Sequence, residues 1–278
     1  MLLAATGGEH VLIPQPRPPR QPGQQAHAGS GPGGPAERVS RGHVPRAPTL
    51  QYSCQWRTLG SETTAEPPGC GIGHSYLELA PRETVGVDID PRALAGQDRE
   101  THVADMRSLP FEAGRFAAVI SIQSIEHVPN PELMLAEVAR VLHPGGRAVI
   151  VTPNRLTFGR PDEIIDPYHY IEFDAHELHA LCRHYFAPVQ ILGLQASARY
   201  QAIHDDERRE LNRLLARDPL RLRRLVPRRA RQRLYDRRLS SDRVEPRPGA
   251  LEIGPEDFRL ESTRLDTSID LFAVCDLG

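Results

Sequence analysis

Three glycines at alternate positions, Gly69, Gly71 and Gly73 in Gly69-Cys70-Gly71-Ile72-Gly73, precede an acid, Asp88, that ends the run Thr84-Val85-Gly86-Val87 nineteen residues after the first glycine. Residues without a Cβ let a ligand approach bare backbone, and an acid at the tip of the next strand can accept hydrogen bonds from both hydroxyls of a ribose. The chemistry such a pairing serves is the gripping of a nucleoside. Dinucleotide enzymes use the same device, but His74 stands where their fingerprint wants a third glycine or alanine, and a second acid follows at Asp105. Further along, Gln123, Glu126-His127 and His169-Tyr170-Ile171-Glu172 place polar and proton-accepting groups just past apolar runs.

Taken in order, Gly69 to Gly73, Gly86-Val87-Asp88-Ile89-Asp90, Ala104-Asp105-Met106-Arg107-Ser108-Leu109-Pro110-Phe111, Glu126-His127-Val128 and Leu142-His143-Pro144-Gly145-Gly146 resemble the class I S-adenosylmethionine (SAM)-dependent methyltransferases. The likeness is greatest to the small-molecule subgroup typified by quinone-biosynthesis enzymes, and it covers about half of the chain. Each motif alone is weak, and the five in this order are a strong combination. The resemblance implies S-adenosyl-L-methionine as cofactor. It places Gly69, Gly71 and Gly73 against the methionine end, Asp88 on the ribose, Ile89 on the adenine face, Asp105 and Met106 at the adenine amino edge, and Gln123 toward the methionine moiety. Plainer roles for the same residues are an ordinary turn for the glycines, a helix N-cap for Asp88 or Asp90, and a turn acid for Asp105.

The sequence departs from the family pattern at Thr63-Thr64-Ala65-Glu66-Pro67-Pro68, where an apolar first strand should end in an acid two positions before the glycines. Glu66 is one position early, and proline cannot donate to a central ladder. Either the strand is short and irregular, or this upstream stretch does not represent the family's first strand.

Methyl transfer from a sulfonium is an in-line displacement with a good leaving group, so alignment and exclusion of water are the protein's main tasks. A base is needed only for an acceptor that must lose a proton, and His127 and His169 are the candidates because both follow strand ends that face the cofactor. Acceptor contacts are expected from Thr152-Pro153-Asn154-Arg155 and His169-Tyr170-Ile171-Glu172-Phe173, beyond the carboxyl ends of strands. Glu126, His127 and His169 also resemble the metal-binding set of small-RNA terminal 2′-O-methyltransferases. Gln123 stands where that set has another carboxylate, a loss that weakens a hard-cation site, so no metal is expected. The expected activity is methyl transfer to a small molecule, glycan or lipid intermediate. An RNA methyltransferase working through an arginine-rich segment and a non-catalytic SAM-binding module are the alternatives.

The elements that must position these residues are strand-like at Thr84 to Asp90, Thr101 to Ala104, Phe116 to Ile122 and Arg147 to Thr152. A helix fits Pro131 to Leu142, with Leu133, Leu135, Val138 and Val141 on its apolar face and Pro144-Gly145-Gly146 as its stop. Asp174 can N-cap a helix running through Tyr185, and strands follow at Val189 to Leu194 and Ile269 to Cys275. Such alternation predicts an α/β fold, a doubly wound, mostly parallel, Rossmann-like sheet with a helical insertion before the last strand. The expected divisions are a Pro/Gly-rich disordered tail over 1–60, the SAM-binding domain over 61–195, a basic helical insertion over 196–250 and a strand within 251–278 that completes the sheet. In the insertion, Leu211, Leu214 and Leu215 are expected to pack on the domain while arginines face water.

Composition narrows the setting. The 278 residues can bury a large core, and 34 basic against 36 acidic side chains leave a net charge of -2 that favours neither nucleic acid nor membrane as partner. Every cationic side chain apart from histidine is arginine. Weak contact of an anionic membrane surface with residues 206–243 is the exception allowed for. Cys54, Cys70, Cys182 and Cys275 form no C-x-x-C pair, and no apolar run reaches the ~18 residues of a membrane span, so a cytoplasmic protein is expected.

Overall fold

A computed structural model describes residues 49–53, 84–241 and 253–278. The glycine turn at 69–73, the irregular stretch at 63–68, Cys54 and Cys70 lie outside the described residues. Strands β1 (Thr49–Ser53), β2 (Thr84–Asp88), β3 (Glu100–Val103), β4 (Phe116–Ile122), β5 (Leu142–Pro153), β6 (Val189–Ala196), β7 (Phe258–Glu261) and β8 (Asp270–Asp276) form one sheet in the order β3-β2-β1-β4-β5-β8-β6-β7. The first five in that order run parallel, β8 inserts antiparallel between β5 and β6, and β7 is an antiparallel edge. This is the doubly wound α/β sheet the sequence predicts.

Two differences from the sequence reading concern strands. β1 arises from Thr49–Ser53, inside the segment expected to be a tail, and it occupies the central position next to both β2 and β4. β1 thus fills a central ladder position, where a proline would lack a donor. β7 was not expected; its four residues lie between the helical insertion and β8 and, among the described residues, pair with β6.

Burial explains the strand choices. All five residues of β2 are buried, as a strand covered on both faces requires, whereas β8 alternates buried and half-buried positions. Helix α1 (Pro131–Val141) presents Met134, Leu135, Val138 and Val141, each fully buried, to the sheet. Leu133, expected on that face, is 53% exposed; the apolar stripe is set one residue on, at Met134. After α1 the chain enters β5 through Pro144-Gly145-Gly146. Gly145 has φ +77, and a Cβ on Gly146 would lie 2.8 Å from the His143 carbonyl oxygen, so both glycines are required by the turn.

Helix α2 (Ala175–Cys182) starts at Asp174, the N-cap the sequence predicts, which closes a capping box with Glu177; it ends at Cys182, short of the Tyr185 expected. Helices α3 (Ala198–Leu215) and α4 (Arg228–Ser241) make up the insertion. Leu215 is buried and Leu211 and Leu214 are half-buried, in keeping with the predicted packing face. The arginines behave otherwise than expected, because several face protein. The buried carboxylate of Glu163 takes Arg223 at 2.5 Å and Arg224 at 3.1 Å, and Arg221 pairs with Asp162. Arg228 donates to the carbonyl oxygens of Pro167, Tyr168 and His169 and lies 3.5 Å over the Tyr170 ring. The insertion thus grips the loop that carries His169. Among the described residues no helix is long and apolar enough to cross a membrane.

Candidate active site

Ligands of open α/β sheets bind beyond the carboxyl ends of the strands where the winding reverses, here between β1 and β4. Asp88, Asp105, Gln123, Glu126 and His127 all follow the carboxyl ends of β2, β3 and β4, so the fold brings to one edge residues up to forty positions apart.

Asp88 is 1% exposed at the tip of β2. Its Oδ1 accepts the Asp90 amide at 2.8 Å, while Oδ2 is buried with no hydrogen-bond partner. Burial raises its pKa to about 6, partly offset by the Asp90 amide. A buried carboxylate oxygen with nothing to accept is a site that a pair of ribose hydroxyls would satisfy. Next to it Ile89, a large apolar side chain, is 58% exposed, as a platform for a planar base would be. Asp90, the neighbouring acid, is the one that caps a helix, accepting the Arg92 amide.

Asp105 and Met106 follow the end of β3. Asp105 holds the Arg107 guanidinium through both oxygens, at 2.6 to 3.1 Å, and accepts the Arg107 amide at 2.9 Å. Arg107 keeps that carboxyl below the usual range, so meeting an adenine amino group would require it to share its oxygens with the arginine. Met106 is 1% exposed within the hydrophobic core, so its side chain does not reach the edge; only its backbone is available to a cofactor.

Gln123 lies just past β4 with φ +50, in the left-handed region that non-glycine residues rarely adopt. Two bonds hold it there: its amide donates to the Val151 carbonyl at 2.9 Å, and its side-chain amide donates to Asp270 Oδ1 at 3.2 Å. Asp270 is the first residue of β8, paired with Pro153 at the end of β5, and burial raises its pKa to about 6. The sequence reading did not find Asp270, because antiparallel pairing across more than a hundred residues leaves no local signal.

Glu126, His127 and His169 form a compact group at the same edge. Glu126 is fully buried; its Oε2 accepts the Thr152 hydroxyl at 2.9 Å, and burial lifts its pKa to about 7. His127 lies with Nδ1 3.3 Å from the Tyr168 carbonyl oxygen, and burial, followed by the neighbouring His169, lowers its pKa to about 4. The His127 and His169 rings are 4.9 Å apart, and His169 Nδ1 is 2.8 Å from Glu172 Oε1 with both side chains buried. The amide of Tyr170 donates to the Glu126 carbonyl at 2.8 Å, which ties the His169 loop to the end of β4. Sequence spacing named the two histidines; it did not show that Glu126 is interior or that Glu172 and Thr152 support the group.

Residues 67–150 match the family model of a methyltransferase domain. Over 134 residues the chain is 34% identical to the chloroplastic tocopherol O-methyltransferase of Arabidopsis thaliana, covering 43% of this chain and 37% of that protein. Over 122 residues it is 35% identical to a probable S-adenosylmethionine-dependent methyltransferase of Mycobacterium tuberculosis, covering 41% and 44% respectively. Over 95 residues it is 32% identical to the sterol 4-C-methyltransferase of Caenorhabditis elegans, covering 30% and 28%. The chain thus spans less than half the length of these relatives. The sheet order, the placement of Asp88 at the winding reversal and the matched segment agree: residues 67–150 are similar to the methyltransferase domain of SAM-dependent methyltransferases.

Proposed function

We propose that the chain transfers the methyl group of SAM to a small-molecule acceptor seated over the carboxyl edge of β4 and β5. The observation that carries this reading is the buried, unpartnered Oδ2 of Asp88 beside the exposed Ile89, a ribose acceptor and a base platform at the winding reversal. Bound SAM would supply an electrophilic methyl carbon on a sulfonium. Asp88 would hold the ribose, Ile89 would cover the adenine face, and Gln123, fixed by Asp270, would line the methionine side. His127 and His169 would serve as base for an acceptor that must lose a proton, their rings oriented by the Tyr168 carbonyl and the Glu172 carboxylate at Nδ1.

The tocopherol and sterol methyltransferases among the relatives favour a lipophilic acceptor. Leu220, Leu222 and Leu225, all exposed and interleaved with arginines, support the accompanying proposal of weak contact with an anionic membrane surface. Free, buried Cys182 and Cys275 suit the reducing cytoplasm proposed as the setting. Calorimetric titration with S-adenosylhomocysteine tests the core of the reading, and methyl transfer to a panel of phenolic and alicyclic alcohols tests the acceptor class. A folded chain that binds neither SAM nor S-adenosylhomocysteine would sink it.

A further inference from the structure

We propose that the cleft between α3 and the segments that follow β5 and precede β8 binds a neutral, polyhydroxylated ring, a sugar or cyclitol, as the part of the methyl acceptor remote from the reacting atom. This rests on the methyl-transfer reading for the ring's role as acceptor, while the chemistry of the cleft stands without it. The cleft holds about 280 Å³, near the lower end of the roughly 300–1,000 Å³ of small-molecule sites, which is room for one ring rather than for a whole lipid. Ile269 lines it and is followed directly by Asp270, the partner of Gln123, so the cleft lies beside the acceptor edge.

α3 turns a polar face toward the protein here. Gln201, His204, Asp205 and Arg208 recur at the three- and four-residue spacing that places side chains on one face of a helix, and all four line the cleft. A helix face set against a domain is ordinarily apolar. Contacts toward both ends hold α3 over the gap: Ser197 and Arg199 donate to Asp257 at 2.6 and 2.5 Å, and Asn212 accepts from Arg160 at 3.2 Å. The opposite wall is fixed by the Asn154 side chain, which donates to the carbonyls of Leu265 and Ser268 at 2.8 and 2.9 Å.

The hydrogen-bonding balance inside selects the ligand. Thr157 and Thr267 spend their protons on the Ser268 and Arg264 carbonyls, and the Gln201 amide donates to the Ala196 carbonyl, so each retains lone pairs for a ligand. Asp205 and Asp266 add two carboxylates. Against these acceptors stands one guanidinium, that of Arg208, whose Nε is buried with no hydrogen-bond partner and which, among the described residues, forms an ion pair with neither aspartate. His204 is neutral at pH 7, because burial, followed by the charge of Arg208, holds it below the usual imidazole range. An anion would face the two carboxylates, and a cation would face the guanidinium. Ring hydroxyls satisfy both, each giving a proton to an oxygen of the wall and accepting from the arginine, while Leu156 and Ile269 leave an apolar patch for the C–H face.

The test uses the full chain, with and without S-adenosylhomocysteine, and saturation-transfer NMR against methyl glycosides of the common hexoses and myo-inositol, with glucuronate and glucosamine as charged counterparts. At least one neutral ring should bind, at least fivefold more tightly than either charged ring. Arg208→Leu should raise its Kd about tenfold and Asp266→Asn about threefold, circular dichroism confirming that both variants fold, whereas Asp206→Asn, on the exposed face of α3, should leave it unchanged. Octyl glycosides of the same ring separate two sources of this chemistry, both in accord with the proposal: tighter binding than the methyl glycoside identifies the head of a lipophilic acceptor, and equal binding a soluble glycoside. Failure of the folded chain to bind any neutral ring overturns the proposal, as does a preference for a charged ring or binding that survives Arg208→Leu and Asp266→Asn together. Ring binding by a chain that takes no S-adenosylhomocysteine would refute the methyl-transfer reading and leave the cleft assignment standing.

Discussion

Replacing Asp88 with Asn should abolish most of the affinity for S-adenosylhomocysteine and at the same time make the ligand-free protein more stable. The asparagine keeps an oxygen for the Asp90 amide, so the turn is retained, but the charge that would accept two ribose hydroxyls is lost. Hydrogen bonds to a charged group are worth about 1.5–3 kcal/mol each; allowing for incomplete gain, a loss of about 2–3 kcal/mol corresponds to a roughly 30- to 150-fold rise in Kd. The pH dependence has a definite sign. The carboxyl pKa is raised from 3.8 to about 6 in the folded chain, so the folded state holds its proton more tightly than the unfolded state, and the associated stability is present below pH 3.8 and lost as pH rises through 6. Above pH 6 the ionised, unpartnered carboxylate therefore costs the ligand-free protein about 3 kcal/mol, which Asp88→Asn removes. Ligand affinity runs the other way, full above pH 6 and falling as the carboxylate is protonated. Calorimetric titrations between pH 5 and 8, paired with urea unfolding of both proteins, measure both effects. Equal affinity in the two proteins, or a wild-type affinity flat from pH 8 to 5, would refute the assignment of Asp88 to the ribose.

Ile89→Ala should weaken S-adenosylhomocysteine binding about fivefold while leaving the unfolding midpoint within about 0.5 kcal/mol, because a side chain 58% exposed contributes little before a base covers it. Glu163→Gln removes the buried carboxylate shared by Arg223 and Arg224, and should cost about 2 kcal/mol and speed tryptic cleavage between Arg217 and Arg233; unchanged cleavage would mean that the insertion is held by its leucines alone. Gly146→Ala forces a Cβ to 2.8 Å from the His143 carbonyl and should lower Tm by roughly 4–8 °C, the equivalent of about 2 kcal/mol, as a thermal melt would show.

The sheet was legible because its parallel strands are short apolar runs bounded by turn chemistry: Phe116 to Ile122 was read to the residue, and Asp174 announced α2 as its N-cap. β1 was not, since Thr49-Leu50-Gln51-Tyr52-Ser53 is short and half polar, and its place in the sheet comes from neighbours on both sides rather than from its own pattern. The site was legible in proportion to how local its parts are. Asp88 sits on a strand end and could be named from spacing, whereas Ile89 and Met106 came only with the family resemblance, and the Met106 side chain turns into the core. The support of His169 by Glu172 is a three-residue relation, yet its significance depends on burial, which spacing does not reveal. Asp270 reaches Gln123 across 147 positions of sequence and had no local mark at all.

That long-range pair sets a last expectation. Gln123 pays for a left-handed backbone, a strain of order 1 kcal/mol or more for a residue with a side chain, and glycine at the same position would relieve it. Gln123→Gly nevertheless takes away the amide that donates to Asp270, whose pKa burial has already raised to about 6. Loss of a donor leaves the ionised, buried carboxylate with a penalty of about 1–3 kcal/mol, so above pH 6 the strain relief is outweighed and the variant should be less stable than the wild type. Below pH 6 the carboxyl is protonated in both proteins, and the donor matters less. The stability difference in urea should therefore shrink on acidification from pH 8 to 5 and change sign if the strain term exceeds what remains of the hydrogen bond. A difference independent of pH would mean that Gln123 is held by its Val151 backbone contact alone, and that Asp270 does not depend on it.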